Sequence, residues 1–120
     1  MKRIYLDYAS TTPVDPRVRA AMLPYETEIF GNPGSLHLFG QEASGAIFKS
    51  RRSVAQSIGA AVDEIIFTGS ATEANNLALR GVVSYAQNVG EVRKPRIIVS
   101  SIEHESVLET ARALEREGVE

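Results

Sequence analysis

Residues 65–73 read Ile-Ile-Phe-Thr-Gly-Ser-Ala-Thr-Glu, a continuous apolar run that gives way at once to small and hydroxyl-bearing residues. An unbroken apolar run of this length favours a β-strand that is covered on both faces. Residues 69–72 predict a turn, and apolar residues then recur at helical spacing from Ala74 to Val89. The segment therefore predicts a strand that leads directly into a helix.

A second segment of the same kind follows. Residues 96–100 read Arg-Ile-Ile-Val-Ser and predict another buried strand. The next residues predict an amphipathic helix that Gly118 ends. Its inner stripe comprises Val107, Leu108, Ala111 and Leu114. The order strand–helix–strand–helix indicates an α/β fold, a mostly parallel sheet with flanking helices, of which this chain supplies only a part.

The first half of the chain reads differently. Residues 4–8 are extended in character, and residues 9–16 form a loop in which Asp15-Pro16 predicts the start of a helix up to about residue 23. A Gly-Asn-Pro-Gly-Ser-Leu loop follows at 31–36, then a helix over about 41–58 that Gly59 caps. We expect three regions: an N-terminal arm (1–15), an N-terminal helical segment (16–60) and an incomplete α/β domain (61–120).

Composition limits the classes of function. Hydrophobic residues make up 43% and charged residues 23%, with a net charge of −2, so no basic surface for nucleic acid is expected. No apolar run approaches the roughly 20 residues that span a bilayer, and no signal peptide is recognisable, so a cytoplasmic location is expected. The chain has no cysteine, and its two histidines lack metal-ligand spacing, so no metal site is expected.

The turn at 69–72 is the first candidate site. A helix start exposes unpaired backbone N–H groups and the positive end of the helix dipole. Gly69 permits a tight turn, and the hydroxyls of Ser70 and Thr72 can donate to an anion, which together favour a phosphate-binding site. The alternative is a helix that Ser70 or Thr72 merely caps, with no ligand.

His104 is the second candidate. It follows the predicted strand 96–100, and ligands of open α/β sheets bind beyond the carboxyl ends of the strands. Its imidazole could stack on a planar ring or move protons near neutral pH. The alternative is a loop histidine that helps to cap the next helix. His37 is interpreted as a loop residue. Residues 5–13, Tyr-Leu-Asp-Tyr-Ala-Ser-Thr-Thr-Pro, are compatible on composition with a purely structural arm.

Four blocks, in this order, resemble cysteine desulfurases of the class V aminotransferase family. They are residues 5–13, residues 30–35 (Phe-Gly-Asn-Pro-Gly-Ser, then His37 and Gly40), residues 66–77 (Ile-Phe-Thr-Gly-Ser-Ala-Thr-Glu-Ala-Asn-Asn-Leu) and residues 103–108 (Glu-His-Glu-Ser-Val-Leu). The blocks cover essentially the whole chain, which makes the resemblance specific.

The resemblance implies a homodimeric fold type I enzyme that uses pyridoxal 5'-phosphate. It implies that Ala71 and Thr72 hold the cofactor phosphate and that His104 stacks on the pyridine ring and assists proton transfer. Ala9, Ser10, Thr11 and Asn32 would line the substrate entrance. The helical segment and the arm would belong partly to the small domain of such an enzyme.

The implied reaction takes sulfur from L-cysteine, leaving L-alanine and an enzyme persulfide for an iron–sulfur scaffold or a thio-modification pathway. It needs a Schiff-base lysine and a cysteine. Lys2, Lys49 and Lys94 lie outside the expected lysine motif, and cysteine is absent. We therefore expect the chain to be the inactive N-terminal part of a longer enzyme. The alternatives are a selenocysteine lyase or aminotransferase of the same family, and a stand-alone non-catalytic module.

Overall fold

A computed structural model describes residues 3–90 and 92–120. The elements in these residues are α1 (Pro16–Met22), α2 (Pro24–Thr27), α3 (Leu38–Ile58), a 3₁₀ turn (Val62–Glu64), α4 (Ala71–Asn88) and α5 (Glu105–Arg116). The chain divides into two compact units, Met1–Ile65 and Ile66–Glu120. The three domains predicted for the longer enzyme stay a prediction.

The helices of the first unit begin where their capping residues require. The Asp15 carboxylate accepts the Arg17 backbone N–H at 2.8 Å, with Pro16 at the first helical position, so the predicted start of α1 is confirmed. Helix α3 begins at Leu38, three residues before the predicted start, because His37 caps it. It ends at Gly59, whose φ of 69° is the left-handed conformation of a helix C-cap.

The loop before α3 is tightly closed. A Cβ atom on Gly31 would lie 2.3 Å from the Phe39 carbonyl oxygen, and one on Gly40 would lie 2.2 Å from the Ser35 carbonyl oxygen. Both distances are far inside van der Waals contact, so only glycine allows the backbone to approach so closely at these two positions.

Helices α4 and α5 form the second unit. Their contact buries Val83, Leu114 and Val119, with Leu79 and Ile97 packed against this cluster. Arg80 of α4 and Glu117, which follows α5, form an ion pair at 3.2 Å on the surface. The stripe predicted for α5 supplies Leu114 to this contact. The stripe predicted for α4 was wrong: its large members Leu77, Val82 and Tyr85 are 48%, 70% and 65% exposed. The α4 face that packs carries Leu79 and Val83, one helical turn apart, instead.

The predicted strands are not formed within the described residues. Residues 65–68 and 96–100 have no assigned secondary structure, because a strand exists only where a neighbour completes its hydrogen-bond ladder. Ile66 is 65% exposed and Ile98 is 90% exposed, so neither side chain is covered as the apolar runs predict. The predicted sheet is therefore not confirmed by these 120 residues.

One pair of hydrogen bonds nevertheless has the parallel pattern. The Glu120 N–H donates to the Pro95 carbonyl at 3.0 Å, and the Ile97 N–H donates to the Glu120 carbonyl at 2.7 Å. Glu120 thus bonds to the two residues that flank Arg96, through its N–H on one side and its carbonyl on the other. This is the hydrogen-bond pattern of a parallel strand pair between Arg96 and Glu120. Their side chains meet in an ion pair at 2.6 Å. Residues 95–97 thus have extended, pairing-competent backbone.

No helix in the two described ranges is long and apolar enough to cross a membrane.

Candidate functional site at the starts of helices α4 and α5

The start of α4 is capped by Ser70. The Ser70 hydroxyl oxygen accepts the Glu73 backbone N–H at 3.1 Å, and the Ser70 carbonyl accepts the Ala74 N–H at 3.1 Å. Ala71 and Thr72 occupy the first two helical positions, whose N–H groups have no acceptor inside a helix. Both residues are exposed. The capped helix that was the alternative interpretation is therefore present, and it leaves two backbone donors directed outward.

The turn itself is held by Glu73. The Gly69 N–H donates to the Glu73 carboxylate at 2.7 Å, and the Thr68 hydroxyl donates to the Ser70 carbonyl at 3.0 Å. These bonds fix the backbone of residues 68–70 from both sides. The turn is thus rigidly placed ahead of the exposed N–H groups of Ala71 and Thr72.

The start of α5 is capped by His104. Its Nδ1 accepts the Ser106 backbone N–H at 3.1 Å, and the ring is exposed to solvent. The Ser106 hydroxyl also lies 2.8 Å from the same Nδ1. The capping role that was the alternative for His104 is therefore observed. Because capping uses only Nδ1, the ring faces and Nε2 remain available to a ligand.

A hydrogen-bond chain connects the two helix starts. The Asn75 side-chain amide donates to the Ser106 hydroxyl oxygen at 2.8 Å, and that hydroxyl contacts His104 Nδ1. Asn75 lies one turn into α4, just beyond Ala71 and Thr72. The structure thus brings the candidate phosphate-binding residues and His104 to neighbouring ends of two packed helices.

Ser106 is the most enclosed member of this chain. It is 9% exposed, and its carbonyl accepts the hydroxyl of Thr110, itself 4% exposed, at 2.7 Å. Sequence reasoning missed Ser106 and Asn75 as site residues. The available signals were a serine two residues after a candidate histidine and a polar side chain adjoining the apolar stripe of α4.

Ala9, Ser10 and Thr11, the proposed residues of the substrate entrance, lie in the first unit. The N–H groups of Ser10 and Thr11 donate to the Asp7 carbonyl at 3.1 and 3.4 Å, which makes the segment a turn. All three residues are exposed, and Thr11 lines a shallow pocket with Tyr5, Tyr8, Thr12 and Pro13. Their role in substrate binding stays a prediction.

Asn32 has a structural task in the loop before α3. Its side-chain carbonyl accepts the Gly34 N–H at 2.9 Å, closing a turn of the Asn-Pro-Gly type. The role of Asn32 in substrate binding stays a prediction. His37 caps α3 by accepting the Gly40 N–H at 3.4 Å. The interpretation of His37 as a loop residue fits this position.

Metal ligands and lysines give no further candidates. Among residues 3–90 and 92–120, no three histidine, cysteine, aspartate or glutamate side chains are grouped to hold a metal ion. Lys49 and Lys94 are exposed. Lys2 lies outside the described residues.

Residues 4–120 match the family model described as Aminotransferase class-V. The chain belongs to this family.

Within the family, the chain is similar to proteins named for sulfur chemistry. It is 51% identical over 117 residues to the cysteine desulfurase IscS of Rickettsia massiliae, a match that covers 97% of this chain and 28% of that protein. It is 52% identical over 120 residues to the mitosomal cysteine desulfurase of Encephalitozoon cuniculi, covering 99% of this chain and 27% of that protein.

A solved structure is similar to the same chain. A NifS-like protein superimposes with a TM-score of 0.89 at 39% identity, covering 99% of this chain and 32% of that chain. The chain therefore spans between a quarter and a third of the length of these similar proteins.

Proposed function

We propose that this chain is the N-terminal part of a pyridoxal-phosphate-dependent cysteine desulfurase. The observation that carries the proposal is 51% identity to a cysteine desulfurase over 97% of the chain, together with a helix start that has unpaired donors at Ala71 and Thr72. The complete enzyme would remove sulfur from L-cysteine, leave L-alanine and carry the sulfur as a persulfide.

The start of α4 fits the phosphate of such a cofactor. The N–H groups of Ala71 and Thr72 and the Thr72 hydroxyl are three donors at the positive end of an 18-residue helix. Ser70, the cap, already satisfies the next two N–H groups of the helix. In this proposal Ala71 and Thr72 bind the phosphate, and Ser70 and Gly69 keep the backbone in place.

The exposed ring of His104 fits the planar part of the cofactor. The bond from Ser106 holds the imidazole at the start of α5, where the ring is exposed to solvent. When bound, the cofactor stabilises negative charge that develops on the substrate amino acid. In this proposal His104 packs against the ring and accepts or donates a proton at Nε2.

The surroundings of these helices suit a larger sheet. Ile66, Ile98 and Ile102 are 65%, 90% and 91% exposed, an apolar surface that neighbouring strands and helices would cover. The proposal therefore includes a fold type I large domain completed by further chain. A homodimer, transfer of the persulfide sulfur to an acceptor such as an iron–sulfur scaffold, and a cytoplasmic location are parts of the same proposal.

The test uses protein extended to the length of the relatives, incubated with L-cysteine and pyridoxal phosphate. We expect sulfide and alanine in equal amounts when a thiol reductant releases the sulfur. Residues 1–120 alone should release none, since they contain no cysteine. Formation of pyruvate or of a transaminated product, or turnover of selenocysteine alone, would instead assign another reaction of the family. Absence of any cofactor binding would favour a non-catalytic module.

A matched pair of variants tests the phosphate site. Thr72→Val should raise the cofactor concentration needed for half-saturation by roughly tenfold, the equivalent of one charge-assisted hydrogen bond. Thr27→Val, at an exposed threonine at the end of α2, should leave it unchanged. Cofactor absorbance measured against free pyridoxal phosphate gives both values. Equal affinities in the two variants would place the phosphate elsewhere.

A further inference from the structure

We propose that Ser106 and Asn75 are positioning residues that determine which nitrogen of His104 carries the proton. They act through hydrogen bonds on Nδ1 and leave Nε2–H as the polar atom that the ring offers to a bound molecule. The proposal rests on the proposed function for what that atom meets. The hydrogen bonds and their effect on the ring do not depend on it.

The first step is the Ser106 backbone. A backbone N–H can only donate, and this one lies 3.1 Å from His104 Nδ1. Nδ1 must therefore supply a lone pair, which a neutral imidazole does only when its proton is on Nε2.

The second step is the direction of the Ser106 hydroxyl. The Asn75 amide nitrogen, 2.8 Å away, also only donates, so the hydroxyl oxygen acts as an acceptor towards α4. Its own proton is then free to point at His104 Nδ1, also 2.8 Å away. Two donors thus converge on Nδ1, and the second is oriented by a residue 31 positions earlier in the chain.

The third step is enclosure. Ser106 is 9% exposed, so water competes poorly for its hydroxyl, and the bond from Thr110 to its carbonyl holds the first turn of α5. Hydrogen bonds shielded in this way keep their direction better than exposed ones. The neutral form of the His104 ring consequently presents a proton donor, rather than a lone pair, at Nε2.

The experiment is nitrogen NMR of residues 1–120 with ¹⁵N-labelled histidine rings, without cofactor, at alkaline pH where imidazoles are neutral. His104 is assigned by the signals that vanish in His104→Gln. We expect its Nδ1 to have the shift of an unprotonated ring nitrogen and Nε2 that of a protonated one. Methyl signals of Val83 and Leu114 report in the same sample that the contact between α4 and α5 is intact.

Four variants separate this role from a purely structural one. Ser106→Ala keeps the backbone donor and loses the hydroxyl, so the preference for the Nε2–H form should fall roughly two- to tenfold, and Ser106→Thr should restore it. Asn75→Asp replaces the donor by an acceptor that draws the hydroxyl proton away from Nδ1, so the preference should fall further. Asn76→Asp makes the same charge change at a residue whose side-chain amide donates to the Thr72 carbonyl within its own helix, away from Ser106, and should have little effect.

Two results would overturn the proposal: a His104 ring with the tautomer ratio of free imidazole, or equal ratios in Asn75→Asp and Asn76→Asp. Because the sample contains no cofactor or substrate, either result leaves the proposed sulfur chemistry standing. Conversely, failure of the extended protein to release sulfide would leave the tautomer measurement intact.

Discussion

The two histidines of this chain have the same local task and different surroundings. His37 and His104 both precede a helix, and both accept a backbone N–H through Nδ1. The bond of His37 is 3.4 Å long and reaches Gly40, whereas that of His104 is 3.1 Å long and is joined by the Ser106 hydroxyl. His37 lies edge-on to Phe39 at 6.3 Å, while His104 is linked through Ser106 to another helix.

A histidine that caps a helix can still offer the rest of its ring to a ligand. Capping occupies one ring nitrogen and fixes the orientation of the rest of the ring. At His37 this orientation serves a closed glycine loop. Both rings are exposed, and at His104 the Ser106 hydroxyl beside Nδ1 is linked through Asn75 to the neighbouring helix α4.

The largest change in stability is expected in the loop around His37. Gly40→Ala should destabilise the first unit by about 1–3 kcal/mol, because the new methyl group would meet the Ser35 carbonyl oxygen at 2.2 Å and force the loop apart. Urea denaturation followed by circular dichroism measures the change.

The control lies in the same helix. A Cβ on Gly45 meets nothing within 4 Å, so Gly45→Ala should be neutral or stabilise α3 by about 0.5–1 kcal/mol. If both alanines had the same effect, the tight closure of the loop before α3 would be refuted.

A smaller effect separates the two caps directly. His104→Ala should cost about 1 kcal/mol, since it removes the acceptor of two donors and leaves the enclosed Ser106 hydroxyl with one partner fewer. His37→Ala should cost about half as much, because its single bond is long.

Amide hydrogen exchange at Ser106 and Gly40 follows the two caps in the same samples. The ranking of the two caps would be reversed if His37→Ala increased the exchange rate at Gly40 more than His104→Ala increased it at Ser106.

The smallest effect concerns a third cap, which is charged. The hydrogen bond from the Arg17 side chain lowers the pKa of Asp15 from its usual value of 3.8. Because the pKa of Asp15 is lower in the folded state, its ionised carboxylate stabilises α1 at pH values above the unfolded-state pKa. This contribution is lost as the pH falls through the folded-state pKa. Below about pH 4 the Arg17 amide shift should therefore move with the Asp15 titration, and Asp15→Asn should abolish that movement.

Arg19 supplies the control, because its contact with Asp15 is a backbone bond from its N–H to the Asp15 carbonyl. Arg19→Gln should leave the Asp15 titration in place, whereas Arg17→Gln should move it towards 3.8. An unchanged titration in Arg17→Gln would remove the assigned cause.

The helices could be predicted from sequence because their determinants are local. The Asp15-Pro16 start, the Gly59 cap and the apolar stripe of α5 all lie within a few residues of the structure they produce. The packed face of α4, which carries Leu79 and Val83, depends on its partner helix and was predicted wrongly. The sheet could not be tested in the same way. A strand depends on neighbours, and residues 65–68 have none that complete a ladder within the described residues.

The site was predicted in part for the same reason. Ser70 and His104 could be recognised at helix starts, and both cap them. The bond between Asn75 and Ser106 joins residues 31 positions apart, and no local pattern indicates which amide meets which hydroxyl. That contact is set by the packing of α4 against α5.

The pairing of Arg96 with Glu120 restricts where this family member can change in length. Adjacent residues of extended chain face opposite sides, so the ion pair of Arg96 and Glu120 lies on one side while Ile97 and Val119 join the buried cluster on the other. Inserting or deleting one residue within the extended segment at residues 95–97 would exchange the charged and apolar sides. Natural insertions should therefore be absent from residues 95–97 and be tolerated in the exposed turn at residues 100–103, where they leave both sides in place.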